Sequence, residues 1–552
     1  MESILRLGEC SSKGTGSQIL ERTLTPYTLR MRNAALLALL FSLVFRAHAP
    51  ALVAQTVECS IATVQAKSPP GTTITGATMV SAEGTRPQYC RVDGHAASPG
   101  NEVNFRLGLP DGWNGKFLFQ GVGGLGGTIA NLDSSLARGY AAASTDTGHL
   151  ASDPNWGSNR AKEIDYGYRG THVTAVASKA IATAFYARPI QYAYFNGCSN
   201  GGRQAMMEVQ RYPDDFDGVI GGHPATGTPM QAGRAIVYQH MLASPDNYLS
   251  AEKIEVLSKA TLAACDGQDG LVDGLITDPR TCSFKVETLA CSTFAQGASA
   301  DKQGADGPDC LTAGQVTTVK KIYAGATANG KPFAYGFPVG HEGGATGWAQ
   351  WISGAVAPAK QENGSLAYGG TRLPSGYGLM EPNLRFLALD TDDPAFSWKV
   401  LNLDRDLPRL KTMTEILSPL DPDLRPFRKS GAKLIMYHGW SDPGISAVGT
   451  VAYYDQMVKA VGGQNDADSF TRLYMVPGMH HCGGGPGPNS FDMLPVLEAW
   501  VEKGVAPTSV IASRIVDGKT ERTRPLCPHP QVAHYRGQGS VDAASSFRCE
   551  AR

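Results

Sequence analysis

A serine between two glycines at the end of an apolar run is a pattern that can carry a nucleophile. Gly197-Cys198-Ser199-Asn200-Gly201 follows the strand-like residues 192–195 and precedes the helix-capable stretch 203–212. Glycine on both sides lets backbone crowd a tight strand-to-helix turn without a Cβ clash, so that the hydroxyl projects outward. Such a hydroxyl is a weak nucleophile near neutral pH; it needs a histidine to take its proton and a carboxylate to orient that histidine. In an α/β-hydrolase the chain order is serine, acid, histidine, each on a loop after a core strand. Asp442 in YHGWSD and His481 in VPGMHHC fill that order, each just after an apolar run. His480 is the neighbouring alternative base. His438 and His223 precede the acid or lack the loop context, and Asp466 and Asp468 sit in the polar stretch GGQNDADSF, which reads as solvated loop. The chemistry expected is acyl transfer through Ser199, His481 and Asp442.

Two further stretches have a chemical reading. Residues 121–127, GVGGLGG, follow the apolar run KFLFQ and precede no phosphate-loop lysine. In this kind of fold the loop after an early strand gives one backbone N–H to the oxyanion and the residue after the serine gives another. Gly123 or Gly124 is the first donor, Gly124 being the one adopted, and Asn200 is the second. Residues 266–275, DGQDGLVDGL, place three aspartates among glycines. Hard Ca²⁺ takes clustered carboxylates with backbone carbonyls, and this spacing is not that of an EF-hand. Its expected role is structural, because a Ser-His-Asp mechanism needs no metal.

Cysteine usage bears on the same residues. Residues 34–45, AALLALLFSLVF, are too few to span a bilayer, which takes about 20 helical residues. With Arg30 and Arg32 before them and small residues near Ala49 or Ala54 after them, they read as a signal peptide, and the residues before Met31 as an upstream extension. The mature chain is then exported, secreted or periplasmic, with no membrane span. Removing the leader removes Cys10 and leaves ten of the 11 cysteines, an even number in an oxidising compartment. Sequence leaves the pairing open. The shortest closed loops are Cys59 with Cys90, Cys265 with Cys282, Cys291 with Cys310 and Cys527 with Cys549, which leaves Cys198 and Cys482. A bond between these last two would tie the serine loop to the histidine loop.

These side chains need a scaffold. KFLFQ, QYAYFNG, KLIMYHG and RLYMVPG share one grammar, a short apolar run and then glycine, as strands buried on both faces do, and the helical stretch 173–187 separates two of them. This argues for an α/β sheet whose strand ends gather the glycine-rich loops. From about 224 to 423 the grammar changes to helical runs and acidic glycine loops, which reads as an inserted domain between core segments 55–223 and 424–552. Hydrophobic residues make up 42% of the 552 and charged residues 18%, so the chain is globular rather than disordered. A formal charge of -1, with no basic tract, argues against a nucleic-acid partner.

Taken together, GCSNGGRQAM, YHGWSD, PGMHHCGGGPGP and the tail RPLCPHPQVAHYRGQGSVDAASSFRC resemble the tannase and feruloyl esterase family over about 59 to the C-terminus. The resemblance implies an α/β-hydrolase core with a large inserted lid, a Cys198–Cys482 disulfide and a structural calcium ion in the lid. By the spacing of the family loop, Asp266, Asp269 and Asp273 would offer side chains to that ion, and Leu271 and Leu275 carbonyls. The implied substrates are small esters of phenolic acids such as ferulate or gallate, with a terephthalate monoester as the alternative acid. GWAQW, with Trp348 and Trp351, resembles the family's aromatic lid segment, and Arg372 is a candidate for holding a free carboxylate. Two readings compete with an esterase: an exported serine peptidase, and a non-catalytic calcium-dependent protein that binds phenolics.

Overall fold

The computed structural model describes residues 58–291, 306–393 and 395–551. The upstream extension and signal peptide expected in 1–54 lie outside the described residues. One sheet of nine strands organises the chain: β1 (Thr72–Val80), β2 (Tyr89–Ser98), β3 (Asn101–Pro110), β4 (Lys116–Gln120), β5 (Ala141–Thr145), β6 (Tyr192–Cys198), β7 (Gly218–Gly222), β8 (Lys433–Gly439) and β9 (Thr471–Val476). Their spatial order is β1-β2-β3-β5-β4-β6-β7-β8-β9. The first four in space pair antiparallel, and from β5 to β9 every pairing is parallel.

The principal helices are α1 (Gly170–Tyr186), α2 (Asn200–Arg211), α3 (Thr228–Met241), α4 (Ala251–Cys265), α5 (Ala313–Ala324), α6 (Ser375–Phe386), α7 (Ala447–Val461) and α8 (Leu494–Lys503). Side chains alternate across a strand, so a strand covered on both faces must be apolar throughout. Phe117, Phe119 and Phe195 pack with Ile181 and Ala182 of α1 on one face. Leu118 and Tyr194, from the same two strands, pack with Leu497 and Trp500 of α8 on the other. This is the α/β-hydrolase architecture, and it brings the loops after β4, β6, β8 and β9 to the carboxyl edge of the parallel strands, where such sheets bind ligands.

The chain leaves the sheet after β7 and returns at β8. Between them it builds two cores of its own, one around Tyr238, Met380, Leu384 and Trp398, the other around Ile254, Leu257, Val319, Ile322 and Trp348. Ten cysteines form five disulfides: Cys59–Cys90, Cys198–Cys482, Cys265–Cys282, Cys291–Cys310 and Cys527–Cys549. Four of these close the short loops, and the fifth joins β6 to the loop after β9. Among the described residues no helix is long and apolar enough to cross a membrane.

Candidate active site

Ser199 stands between β6 and α2 with φ 64 and ψ -120, a left-handed backbone that a non-glycine residue adopts only when its surroundings hold it there. The turn is so tight that a Cβ on Gly197 would lie 2.4 Å from the Gly201 carbonyl oxygen, and one on Gly202 would strike the carbonyl of Gly222. The flanking glycines are therefore steric requirements of the turn. The Ser199 amide donates to Gly222 at 3.0 Å, fixing the serine against the end of β7.

The hydroxyl meets an imidazole across the strand ends. His481 Nε2 lies 2.9 Å from Ser199 Oγ, and His481 Nδ1 lies 3.0 Å from each carboxylate oxygen of Asp442. Of the alternatives, His480 is turned away: its Nδ1 meets Thr346 Oγ1 at 2.7 Å and its Nε2 the His341 carbonyl at 3.0 Å. Asp466 is paired with Arg428, and Asp468 with Arg472. The Cys198–Cys482 bond, Cα to Cα 6.1 Å, links the residues immediately beside the serine and the histidine.

His223 and His438 were set aside in the sequence as candidate bases, and the structure places both on Asp442. His223 Nδ1 lies 2.7 Å and His438 Nε2 3.1 Å from its Oδ2, while the amides of Gly444 and Ile445 donate to Oδ1 at 2.7 and 3.0 Å. Burial alone would push the Asp442 carboxyl up; the charge of His481 and the hydrogen bonds from three histidines outweigh it and hold it well below the usual carboxylate range. Burial and its neighbour His438 push His223 down to about 3, so its imidazole is neutral. The signal for this cluster was a histidine at each of two strand ends, GGHPA and MYHGW, and sequence gives no way to see that both face one carboxylate.

The glycine loop is tied to the nucleophile's helix. Asn200 donates its side-chain amide to the Val122 carbonyl at 3.0 Å, and Gln204 Oε1 accepts the Val122 N–H at 2.9 Å. The two peptide groups flanking the Val122 Cα are thus both held, which fixes Gly123 and Gly124 relative to Ser199. Arg203, 2% exposed, steadies Asn200 at 2.7 Å and spends its remaining donors on the carbonyls of Tyr166, Gly167 and Leu417.

A cleft of about 470 Å³ opens over Ser199 and His481, and Gly124, Asn200, Met230, Arg234 and Trp351 are among its walls. Trp351 lies with its ring centre 4.3 Å from that of His481. A larger, mainly apolar cavity of about 690 Å³ shares Met230, Arg234 and Trp351 with this cleft. Two of the expected substrate residues do not reach it. Trp348 is 3% exposed and packs on Tyr323 inside the insert, because the turn that presents Trp351 points its partner the other way. Arg372 is exposed and does not line the cleft.

In the acidic loop, Asp266 accepts the amides of Asp273, Gly274 and Leu275, Asp269 bonds Thr277, and Asp273 is paired with Arg524 at 2.5 Å. Burial, and then the charges of Asp273 and Asp266, raise the Asp269 carboxyl. The three carboxylates are spread more widely than the ligand sets with atoms within 4.8 Å of one another among the described residues, which are His223/Asp442/His481 and His172/Glu208/Asp215.

Comparison with known proteins gives a consistent result. The sequence profile described as Tannase and feruloyl esterase matches residues 90–550. The chain is 32% identical to a mono(2-hydroxyethyl) terephthalate hydrolase of Piscinibacter sakaiensis, over 84% of this chain and 85% of that one. It is 33% identical to a probable feruloyl esterase of Arthroderma benhamiae, over 81% and 82%. Among solved structures, an esterase from Aspergillus oryzae superposes with a TM-score of 0.76 at 25% identity, covering 90% of this chain and 100% of that one.

Proposed function

The chain belongs to the tannase and feruloyl esterase family, and from that premise we propose a secreted serine esterase that cleaves esters of phenolic acids such as ferulate and gallate. The observation that carries the serine mechanism is the continuous line from Ser199 Oγ through His481 to both oxygens of Asp442, at 2.9 and 3.0 Å. Ser199 Oγ attacks the ester carbonyl carbon while its proton passes to His481 Nε2, and the Asp442 carboxylate stabilises the imidazolium. The amides of Gly124 and Asn200 take the charge on the former carbonyl oxygen. Collapse expels the alcohol, which receives the proton from His481, and leaves an acyl-serine. Water then attacks with His481 as base, and the phenolic acid departs.

The Trp351 ring beside His481 gives an aromatic acyl group a surface to lie on. Likeness to a terephthalate monoester hydrolase makes that ester the second candidate. We further propose that the acidic loop holds a structural Ca²⁺ through Asp266, Asp269 and Asp273, with the carbonyls of Leu271 and Leu275. In support, the donors are hard oxygens, and Asp269 is a carboxyl raised first by burial and then by the charges of Asp273 and Asp266, which a divalent cation would offset. Against it stand the wide spacing of the carboxylates and the neutralisation of Asp273 by Arg524.

The deciding assay follows acid release from methyl ferulate, methyl gallate, a terephthalate monoester and an aryl amide, beside Ser199→Ala. Ester turnover that disappears in the variant supports the serine esterase, and the preferred ester names the acid. Amide turnover would replace it with a peptidase; binding of ferulate without turnover would replace it with a binding protein.

A further inference from the structure

We propose that His223 and His438 are positioning residues for the reaction: two imidazoles that each donate one N–H to Asp442 and so hold its carboxylate in the orientation that serves His481. The inference rests on the serine-esterase reading above.

The tautomers follow from the partners. His223 Nε2 accepts the Gly439 N–H at 3.3 Å, so the ring proton is on Nδ1, 2.7 Å from Asp442 Oδ2. His438 Nε2 faces two acceptors, Asp442 Oδ2 and the Ile445 carbonyl, each at 3.1 Å, and must carry a proton; its Nδ1 lies 2.8 Å from Thr450 Oγ1. Both rings are fully buried, and no solvent competes for these bonds. With the amides of Gly444 and Ile445, Asp442 receives four donors besides His481.

This changes what the acid does. A carboxylate bound only to the catalytic histidine concentrates its charge on one N–H and is free to rotate about its last bond. Here Oδ2 is pinned by two imidazoles anchored on two adjacent strand ends, after β7 and in β8, and Oδ1 by two backbone amides. His481 Nδ1 then meets both oxygens symmetrically, at 3.0 Å each. The other groups that feel this charge are Arg234, on α3, and His480, in the loop after β9. The cost is that part of the carboxylate charge goes to these donors instead of to His481.

The test compares His223→Asn, whose amide nitrogen can stand where Nδ1 stood, with His223→Leu, and His438→Gln with His438→Leu. For the leucine variants the expected result is a kcat lower on the order of 10- to 100-fold, the worth of one hydrogen bond to a charged group, with KM little changed. The acid limb of the kcat/KM profile should move to higher pH, because the freed charge falls on His481. Asn and Gln should recover most of the rate and return the limb toward its wild-type position. Folding of each variant is checked by its melting curve, and reaction of Ser199 with a fluorophosphonate gives a second readout independent of the natural ester. Leucine variants with wild-type kcat and an unmoved limb overturn the inference. Equal losses in the leucine and the amide variants also overturn it, since they would mark the rings as packing alone. A wild-type protein that turns over no ester and does not react with fluorophosphonate fails the esterase reading instead.

Discussion

Cys198 and Cys482 are bonded to each other, and the residue after the first and the residue before the second are the two partners of the 2.9 Å Ser199–His481 hydrogen bond. The disulfide therefore constrains the separation of Ser199 and His481 directly. It also closes a span of 284 residues, for which the chain-entropy argument gives about 6 kcal/mol as an upper figure. Replacing both cysteines with serine should lower kcat at least 10-fold, even well below the lowered melting temperature, with a smaller effect on KM. Wild-type kcat in the folded double variant would show that strand packing alone holds the pair.

The two tryptophans of GWAQW should separate cleanly. Trp351→Ala removes a ring from the cleft wall and is expected to raise KM about 5-fold for an aromatic ester while leaving the melting temperature nearly unchanged. Trp348→Ala empties a site in the insert's core and should cost about 3–5 kcal/mol of stability. Steady-state kinetics and thermal melts on both variants check this, and the reversed assignment would follow if Trp348→Ala were the one that raised KM.

Strong chelator should lower the melting temperature of the native protein, and added Ca²⁺ should restore it. Asp269→Asn, which removes a carboxylate raised mainly by burial, should abolish both responses. A melt indifferent to chelator and to Ca²⁺ would identify the loop as a self-satisfied turn held by Asp266 and Arg524.

Glu163 carries a pH prediction. Its side chain is 3% exposed, its Oε1 has no partner, and burial pushes it up to about 7 despite Arg160. A carboxyl raised in the folded state binds more protons there than in the unfolded chain between its ordinary pKa and 7. Its contribution to stability is greatest at low pH and falls as pH rises through 7. Glu163→Gln should melt like wild type near pH 4.5 and several degrees higher at pH 8, which melts at the two pH values measure.

Much of the catalytic geometry was legible in the sequence because it is local. The elbow at Ser199 needs glycines within a few residues, and the loops of Asp442 and His481 each begin where an apolar strand ends. The ten cysteines also pair as shortest-loop closure divides them. What was not legible depends on side chains meeting across the sheet. His223 and Asp442 are 219 residues apart and touch because β7 and β8 are neighbours in space. Asn200 clamping Val122 has the same origin in the adjacency of β4 and β6. In GWAQW the two tryptophans, three residues apart, look alike in sequence, and only the turn at 349–353 decides that Trp351 faces the cleft and Trp348 the insert's core.

The long excursion between β7 and β8 also sets a timetable. Ser199 emerges from the ribosome with β6 and β7, but the strand that carries the acid pairs with β7 only after some two hundred further residues have been made. Contacts of such high sequence separation form late. Until then the nascent chain carries Ser199 without Asp442 or His481. On the esterase reading proposed above, Ser199 therefore gains both of its partners only when β8 and β9 have been made and have docked beside β7.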